Sequence, residues 1–341
     1  MKKIIDAIIP FYNIVFKEPN TTLELFGTVI STNPKYALEF FDRFENRLFY
    51  GEVDYETSID CYTISCYGAI DEILNLRDAK TKWEVAHFMN GYVKNLICSF
   101  WFVKDHSIQS YPCLATFPGQ DRPYNRNLNN KMFSNSKGEM DTVVEFTGDE
   151  FEKGIYFFLE SNRFTAMIPE THPKSVTEGQ TSHLGTINYV VYNKKVNRIT
   201  RALFLIKNAM TNSLLPEKIK VYISVLECLF STSRQELSLT ISTRTSQYIE
   251  GDEDRKLEVY NVVRTAYGIR SSFVHGDALE NKLAAIEKLR DCSQKMDQIL
   301  REILIHVMKA SSSEPFLNKS NKVINKWFEE KAPLPPSVTG G

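Results

Sequence analysis

The chain has 341 residues, a length typical of two domains, and 43% of the residues are hydrophobic while 24% are charged. This composition is typical of folded globular proteins and excludes a largely disordered chain. The formal net charge of -1 excludes a globally basic nucleic-acid-binding protein, so any RNA site must be a local patch.

The N-terminus, Met1-Lys-Lys-Ile-Ile-Asp-Ala-Ile-Ile-Pro, superficially resembles a signal peptide, but Asp6 and Pro10 interrupt its apolar run. No apolar stretch approaches the roughly 20 residues that cross a bilayer. The cysteines form no CxxC pair, and no histidine lies at zinc-finger spacing from them. We therefore expect a soluble cytoplasmic protein with no membrane contact, no structural metal and no cofactor.

The N-terminal half predicts mixed structure in which strands dominate. Strand-forming residues are frequent from 21 to about 70, whereas 81–104 lacks proline and predicts one long, largely apolar helix. The segment 142–168 predicts a strand followed by a short helix. Two polar segments are predicted to be loops, 117–140 and 169–185. We expect residues 1–190 to form an α+β domain with a sensing or regulatory role.

From about residue 194 the pattern changes to continuous amphipathic helix, in which apolar residues recur at helical spacing. Five helices are predicted, at about 196–210, 216–230, 235–250, 254–274 and 278–309. The apolar stripe of the fifth begins at Ile286. Short connections between such helices predict an all-α bundle, to which we assign 191–312. Residues 313–341 predict a short helix and a proline-rich tail.

The fourth predicted helix ends in Arg270 and His275, which are separated by four residues and followed by Gly276. Glycine just past a helix end supports a left-handed cap, so the chain can turn at His275 and free its imidazole. Arg301 and His306 have the same spacing in mid-helix, where residues five apart point about 140° away from each other. Only the first pair is therefore expected to converge.

Arg270 continues the apolar stripe of its helix from Tyr267, so its guanidinium should face the bundle interior or a groove and needs an anion there. In a structural interpretation, that anion is a carboxylate such as Glu227 or Glu236, and His275 only caps the helix. The residue pattern alone leaves this interpretation open beside a catalytic one.

Four short motifs follow one another along the predicted bundle. They are Glu227-Cys-Leu-Phe, Glu236-Leu-Ser, Ser242-Thr-Arg244-Thr-Ser and Tyr267-Gly-Ile-Arg270-Ser-Ser-Phe-Val-His275-Gly276. Together and in this order they resemble the Apea-like HEPN family, which is associated with prokaryotic antiviral defence. The resemblance covers roughly 195–310 and implies that the predicted bundle is a HEPN domain. The expected fold class is therefore α+β, with an N-terminal mixed β-rich domain followed by an all-α HEPN helical bundle.

The resemblance implies that Arg270 and His275 are the catalytic residues of a metal-independent endoribonuclease. In such enzymes the 2′-hydroxyl of RNA attacks the adjacent phosphate and leaves 2′,3′-cyclic phosphate and 5′-hydroxyl ends. Histidine can move protons near neutral pH, and the charged, planar arginine side chain can stabilise a phosphate transition state. Ser271 stands where the family often has Asn, Asp or His.

Three further residues are candidates for binding RNA or supporting the catalytic pair: Ser271, Arg244 and Glu227. Arg244 is a candidate second phosphate contact, although an exposed helix arginine is more often simply solvated. We assign no metal-ligating role to any of these residues.

The resemblance also implies partners. We expect RNA, with tRNA among the candidates, as the substrate, a homodimer through the HEPN domain, and a phage-derived trigger that acts on residues 1–190. The alternative is a non-catalytic HEPN module that dimerises or acts as an adaptor for RNA or a partner protein. A metallohydrolase in the N-terminal half is a third hypothesis, but no convergent motif supports it.

Overall fold

The computed structural model divides the chain into two compact units. The N-terminal unit comprises Met1–Ser134 and Glu139–Phe158, and the C-terminal unit comprises Asn135–Gly138 and Leu159–Gly341. The structure describes residues 6–18, 22–25, 28–31, 33–42, 46–60, 62–66, 82–111, 113–116, 124–125, 132–166, 196–233, 235, 237–276, 285–309, 314–317 and 320–330. The predicted domain boundary at 190 lies outside these residues.

The N-terminal unit is built on a largely antiparallel sheet. Its strands are β1 (Asp6–Tyr12), β3 (Thr22–Leu25), β4 (Thr28–Ser31), β5 (Tyr62–Cys66), β6 (Gln109–Ser110), β7 (Leu114–Thr116) and β8 (Tyr124–Asn125), in the order β3-β4-β5-β1-β7-β8 with β6 also paired to β1. The central strand β1 is the most apolar, and its Ile8, Ile9 and Phe11 are fully buried. The two short strands β2 (Ile14–Phe16) and β9 (Val144–Phe146) pair in parallel.

Helices occupy more of this unit than the sequence pattern predicts. They are α1 (Lys35–Asp42), α2 (Asn46–Tyr50), α3 (Glu52–Asp60), α4 (Lys82–Phe100) and the part of α5 (Gly148–Ala166) up to Phe158. The long helix predicted at 81–104 is confirmed as α4. The strand-rich prediction for 21–70 is wrong between 35 and 60, because Ala37, Phe40 and Phe41 have helical spacing and bury one face of α1. The helix predicted to be short after β9 has 19 residues.

Gly154 on α5 marks a close approach between α5 and the buried ring of Phe100 at the end of α4. A Cβ added to Gly154 would overlap Cδ1 of Phe100, whose ring packs against Phe146 and Phe151. We expect Gly154→Ala to lower the free energy of unfolding by about 1–3 kcal/mol, because an added methyl group overpacks this core.

Gly91 provides the matched control for that prediction. It is an exposed helical glycine on α4, and no described atom lies within 4 Å of the position that an added Cβ would take. Gly91→Ala should stabilise the unit by up to about 1 kcal/mol, since alanine is the better helix former. Urea unfolding of the two variants measures both effects, and equal effects would contradict the described contact.

The N-terminal unit also carries a tyrosine with an altered pKa. The Tyr111 hydroxyl donates a 2.6 Å hydrogen bond to Oδ1 of Asp54. This bond, followed by burial, raises the pKa of Tyr111 from 10.0 to about 12. A raised folded-state pKa stabilises the protein at low pH, and this contribution is lost as the pH rises from about 10 through 12.

We therefore expect wild type to lose more stability than Tyr111→Phe between about pH 9 and pH 12. Melting temperatures of both proteins across this range measure the difference. Parallel pH curves would show that the hydrogen bond contributes nothing to the alkaline transition.

The C-terminal unit is a helical bundle. Its helices are α6 (Arg198–Met210), α7 (Leu215–Phe230), α8 (Leu237–Tyr248), α9 (Glu253–His275), α10 (Ile286–Met308), α11 (Glu314–Leu317) and α12 (Asn321–Glu329). The five predicted helices from 196 to 309 are confirmed as α6 to α10, and residues 277–284 lie outside the described ranges. The predicted stripe of the fifth helix is wrong at its first residue, because Ile286 is 52% exposed and burial begins at Leu289.

Helix α7 is the core of the bundle and packs against α6, α8, α9 and α10. Ile219, Ile223 and Leu226 on this helix are fully buried, which follows from their helical spacing. Pro216 lies in its first turn, where the missing amide proton costs nothing.

Within the described ranges, no helix is both long and apolar enough to cross a membrane.

Candidate active site

The candidate site lies where α9 packs against α7. Tyr267 and Arg270 are three residues apart on α9 and so project from the same side of the helix. Glu227, in the last turn of α7, is the carboxylate that both side chains meet. The structure therefore brings together two predicted site residues, Arg270 and Glu227, and adds Tyr267.

The three side chains are held by one hydrogen bond and one longer ionic contact. The Tyr267 hydroxyl donates to Oε1 of Glu227 at 2.9 Å, and Nη2 of Arg270 lies 3.9 Å from the same oxygen. A separation of 3.9 Å exceeds hydrogen-bonding distance, so the arginine is held by charge alone. Among the described residues, Arg270 has no hydrogen-bond acceptor, although its Nε is buried.

Burial and charge also fix the protonation of Tyr267. Its side chain is only 6% exposed. Burial, followed by the neighbouring charge of Glu227, raises the pKa of Tyr267 far above its usual value. Because the hydroxyl stays neutral, it remains a hydrogen-bond donor to Glu227 throughout the physiological range.

His275 is the last residue of α9 and is exposed. Gly276 follows with φ of 75°, and its amide donates to the carbonyl of Ser272, so the predicted left-handed cap is present. The chain turns at Gly276 and not at His275, because only the residue after the helix adopts the left-handed conformation. Arg270 and His275 therefore leave one regular helix about 140° apart and do not converge within a single chain.

The remaining candidates have different surroundings. Ser271 is exposed beside Arg270 and is accessible to a ligand. Arg244 on α8 is half-buried, and its guanidinium donates to the Phe230 carbonyl at 2.6 Å and to Oδ1 of Asn325 at 2.7 Å. These bonds cap the end of α7 and hold α12 against it, which gives Arg244 a structural role that the sequence did not predict.

A second arginine supports the same helix end. Arg198 on α6 donates to the carbonyls of Cys228, Leu229 and Ser231 at 2.8 to 3.1 Å. Burial lowers the pKa of Arg198 and of Arg244. Positive charge is favourable at a helix C-terminus, so the pair stabilises α7 next to Glu227.

The other arginine–histidine pair of the same spacing has separate structural partners. Arg301 forms a short hydrogen bond with Asp297, and the Tyr222 hydroxyl donates to the same carboxylate at 2.9 Å. The ring of His306 packs against Tyr248 with centroids 5.3 Å apart. This agrees with the expectation that Arg301 and His306 do not converge.

The sequence reasoning missed two features of this surface. Tyr267 was predicted only as part of the apolar stripe, although its hydroxyl contacts Glu227. Nζ of Lys220 on α7 lies 5.7 Å from the ring centroid of Phe273, and Phe273 stands between Arg270 and His275 in the chain. Because Tyr267 lies three residues before Arg270 on the same helix face, the sequence could have indicated that Tyr267 contacts the same carboxylate. Glu236, the alternative partner predicted for Arg270, lies outside the described residues.

In the part of the chain that the structure describes, no group of three or more His, Cys, Asp or Glu side chains is arranged to hold a metal ion.

Comparisons with known proteins add no relative to this picture. No protein-family model matches the chain, and neither the curated proteins nor the solved structures include a significant match.

Proposed function

We propose that the chain is a HEPN-type endoribonuclease that cleaves RNA without a metal ion, with Arg270 and His275 as catalytic residues. The observation that carries the proposal is the state of Arg270. Its side chain is 33% exposed and 3.9 Å from Glu227, and no described residue accepts a hydrogen bond from it. A guanidinium held by charge with uncommitted donors is suited to bind phosphate oxygens in two places.

The residue types account for both halves of the reaction. The 2′-oxygen attacks phosphorus while the bond from phosphorus to the 5′-oxygen breaks, which leaves a 2′,3′-cyclic phosphate and a 5′-hydroxyl. His275, exposed at the end of α9, moves a proton to or from the attacking or leaving oxygen. Arg270 stabilises the negative charge that grows on the phosphate oxygens.

A second copy of the chain completes the site in this proposal. Arg270 and His275 point about 140° apart on one helix, so two subunits are needed to place an arginine and a histidine on one phosphate. Val274, next to His275, is 51% exposed and offers an apolar contact to the second subunit.

Subunit mixing tests this arrangement. If each site takes Arg270 from one chain and His275 from the other, an Arg270→Ala chain combined with a His275→Ala chain forms mixed dimers with one intact site. After unfolding and refolding together, the mixture should recover about a quarter of wild-type cleavage, since half of the randomly formed dimers are mixed. A mixture as inactive as either variant would place both residues in one chain's site.

We further propose a role in antiviral defence in the cytoplasm. The N-terminal unit acts as the sensor of a phage-derived trigger, and cellular RNA, with tRNA among the candidates, is the substrate. The support for this role is the resemblance of the motifs in the C-terminal unit together with the separate fold of the N-terminal unit.

Induced expression in bacterial cells, followed by incubation of the purified full-length protein with total RNA in EDTA, tests the activity. We expect growth arrest and RNA fragments with 2′,3′-cyclic phosphate and 5′-hydroxyl ends. Fragments with 3′-hydroxyl and 5′-phosphate ends, or cleavage only with added metal, would overturn the mechanism.

The second candidate function is a non-catalytic HEPN adaptor that dimerises or binds RNA or a partner protein. The ion pair between Glu227 and Arg270 favours it, because the same contact can serve only to hold α7 against α9. In that case Arg270→Ala would lower the stability of the bundle, and RNA from cells expressing the wild type would stay intact.

A further inference from the structure

The C-terminal unit contains two similar groups of a tyrosine, a carboxylate and an arginine. In one, Tyr222 and Arg301 both meet Asp297; in the other, Tyr267 and Arg270 both meet Glu227. In each group the tyrosine hydroxyl donates to the carboxylate at 2.9 Å. The two groups differ in what the arginine does.

The group at Asp297 is closed. Arg301 hydrogen-bonds the carboxylate directly, and the side chains of Arg301 and Asp297 are 18% and 4% exposed. A buried ion pair of this kind is stable only when hydrogen bonds satisfy both charges. In this group the arginine is therefore committed to its structural partner.

The group at Glu227 is open. The side chains of Arg270 and Glu227 are 33% and 21% exposed, and the guanidinium stays 3.9 Å from the oxygen that accepts from Tyr267. The hydrogen bond from the Tyr267 hydroxyl to Oε1 restrains the carboxylate of Glu227 independently of Arg270. The carboxylate therefore defines the position of Arg270 without occupying its hydrogen-bond donors.

We infer that Glu227, held in place by Tyr267, is a positioning residue for Arg270 and that its negative charge weakens binding of the substrate phosphate beside it. This inference rests on the proposed nuclease function. In the resting protein the charge of Glu227 orients the guanidinium. When RNA binds, the phosphate oxygens take the uncommitted donors, and the negative charge of Glu227 opposes phosphate binding.

The two roles of Glu227 make opposite contributions, so its variants have a distinctive kinetic signature. In Glu227→Gln the amide oxygen can still accept from Tyr267, but the charge that orients Arg270 is gone. We expect kcat to fall about tenfold, because the guanidinium is less well placed in the transition state. KM should fall by about threefold, because one negative charge next to the phosphate is removed.

Tyr267→Phe separates positioning from charge, because it releases the carboxylate without changing any charge. Its kcat should fall by about threefold while KM stays unchanged. The matched control is Tyr222→Phe, which removes the equivalent hydrogen bond to Asp297. That variant should keep the kcat of wild type at temperatures where it is folded.

The experiment measures kcat and KM in EDTA for full-length wild type, Glu227→Gln, Tyr267→Phe, Tyr222→Phe and Arg270→Ala on one labelled oligoribonucleotide that wild type cleaves. Binding of the same oligonucleotide with a 2′-deoxy sugar at the cleaved position checks the KM values directly. Tighter binding with a lower kcat in Glu227→Gln supports the inference.

Two results would overturn it. A Glu227→Gln protein with wild-type kcat, or with weaker binding, would show that the carboxylate neither positions Arg270 nor competes with phosphate. Equal kcat values for Tyr267→Phe and Tyr222→Phe would remove the positioning role of Tyr267. If instead Arg270→Ala cleaves as well as wild type, or wild type does not cleave RNA, the proposed function itself fails and the inference falls with it.

Discussion

Replacing either Arg270 or His275 by alanine is expected to lower the rate of RNA cleavage at least about 10²-fold. For His275 the loss reflects proton transfer, and for Arg270 it reflects the charge that grows on the phosphate. Initial rates on one labelled RNA in EDTA measure both losses. Circular dichroism and melting temperatures should show that both variants remain folded, since both side chains reach the surface.

The matched control for this prediction is Arg290→Ala. Arg290 lies on α10 and forms a 3.1 Å ion pair with Glu287 across one helical turn, and it is not among the described contacts of Glu227. Cleavage by this variant should equal that of wild type. A similar loss in Arg290→Ala would mean that the assay reports general RNA binding by positive charge and not a defined catalytic pair.

The second large effect is on stability and concerns Arg301. Removal of its side chain leaves the carboxylate of Asp297, which is 4% exposed, without its cation in the bundle core. We expect Arg301→Ala to lower the free energy of unfolding by about 3–5 kcal/mol, as is usual when one partner of a buried pair is deleted. Urea unfolding of the full-length protein measures this change.

Arg270→Ala should behave in the opposite way in the same experiment. Its ionic contact is longer and partly exposed, so its loss should cost no more than about 1 kcal/mol. Arg301→Ala is thus expected to change mainly the stability of the protein, and Arg270→Ala mainly its rate of RNA cleavage. A large stability loss in Arg270→Ala, together with a wild type that does not cleave RNA, would favour the adaptor function.

Periodicity predicted the helical bundle well because amphipathic helices carry their own signal. In α10 the buried residues recur every three or four positions, and α7 contains an apolar stripe of the same spacing although more of its surface is buried, so both helices could be placed from the sequence. The same signal was overlooked in α1, where Phe40 and Phe41 are also strong strand formers and the local preference outweighed the spacing. Pairing of distant strands, such as β1 with β5, leaves no short-range pattern to read.

The candidate site was predictable only in part. The apolar stripe of the fourth predicted helix indicated Arg270, and the motif that begins at Glu227 indicated its acidic partner. Gly276 predicted the end of α9. The bond from Tyr267 and the structural bonds of Arg244 to α12 depend on packing between helices far apart in the chain. The direction of His275 depends on whether the helix ends before or after it, a difference of one residue that sequence patterns do not resolve.

In the proposed mechanism, Arg270 and His275 cleave RNA through the substrate's own 2′-hydroxyl without a metal ion. The decisive measurement compares, in EDTA, a labelled oligoribonucleotide with the same molecule carrying a single 2′-deoxy sugar on the 5′ side of the cleaved bond. We predict that wild type cuts the first and leaves that bond intact in the second, and that Arg270→Ala and His275→Ala cut neither. Cleavage of the deoxy-substituted bond, or undiminished cleavage by both variants, would contradict this mechanism.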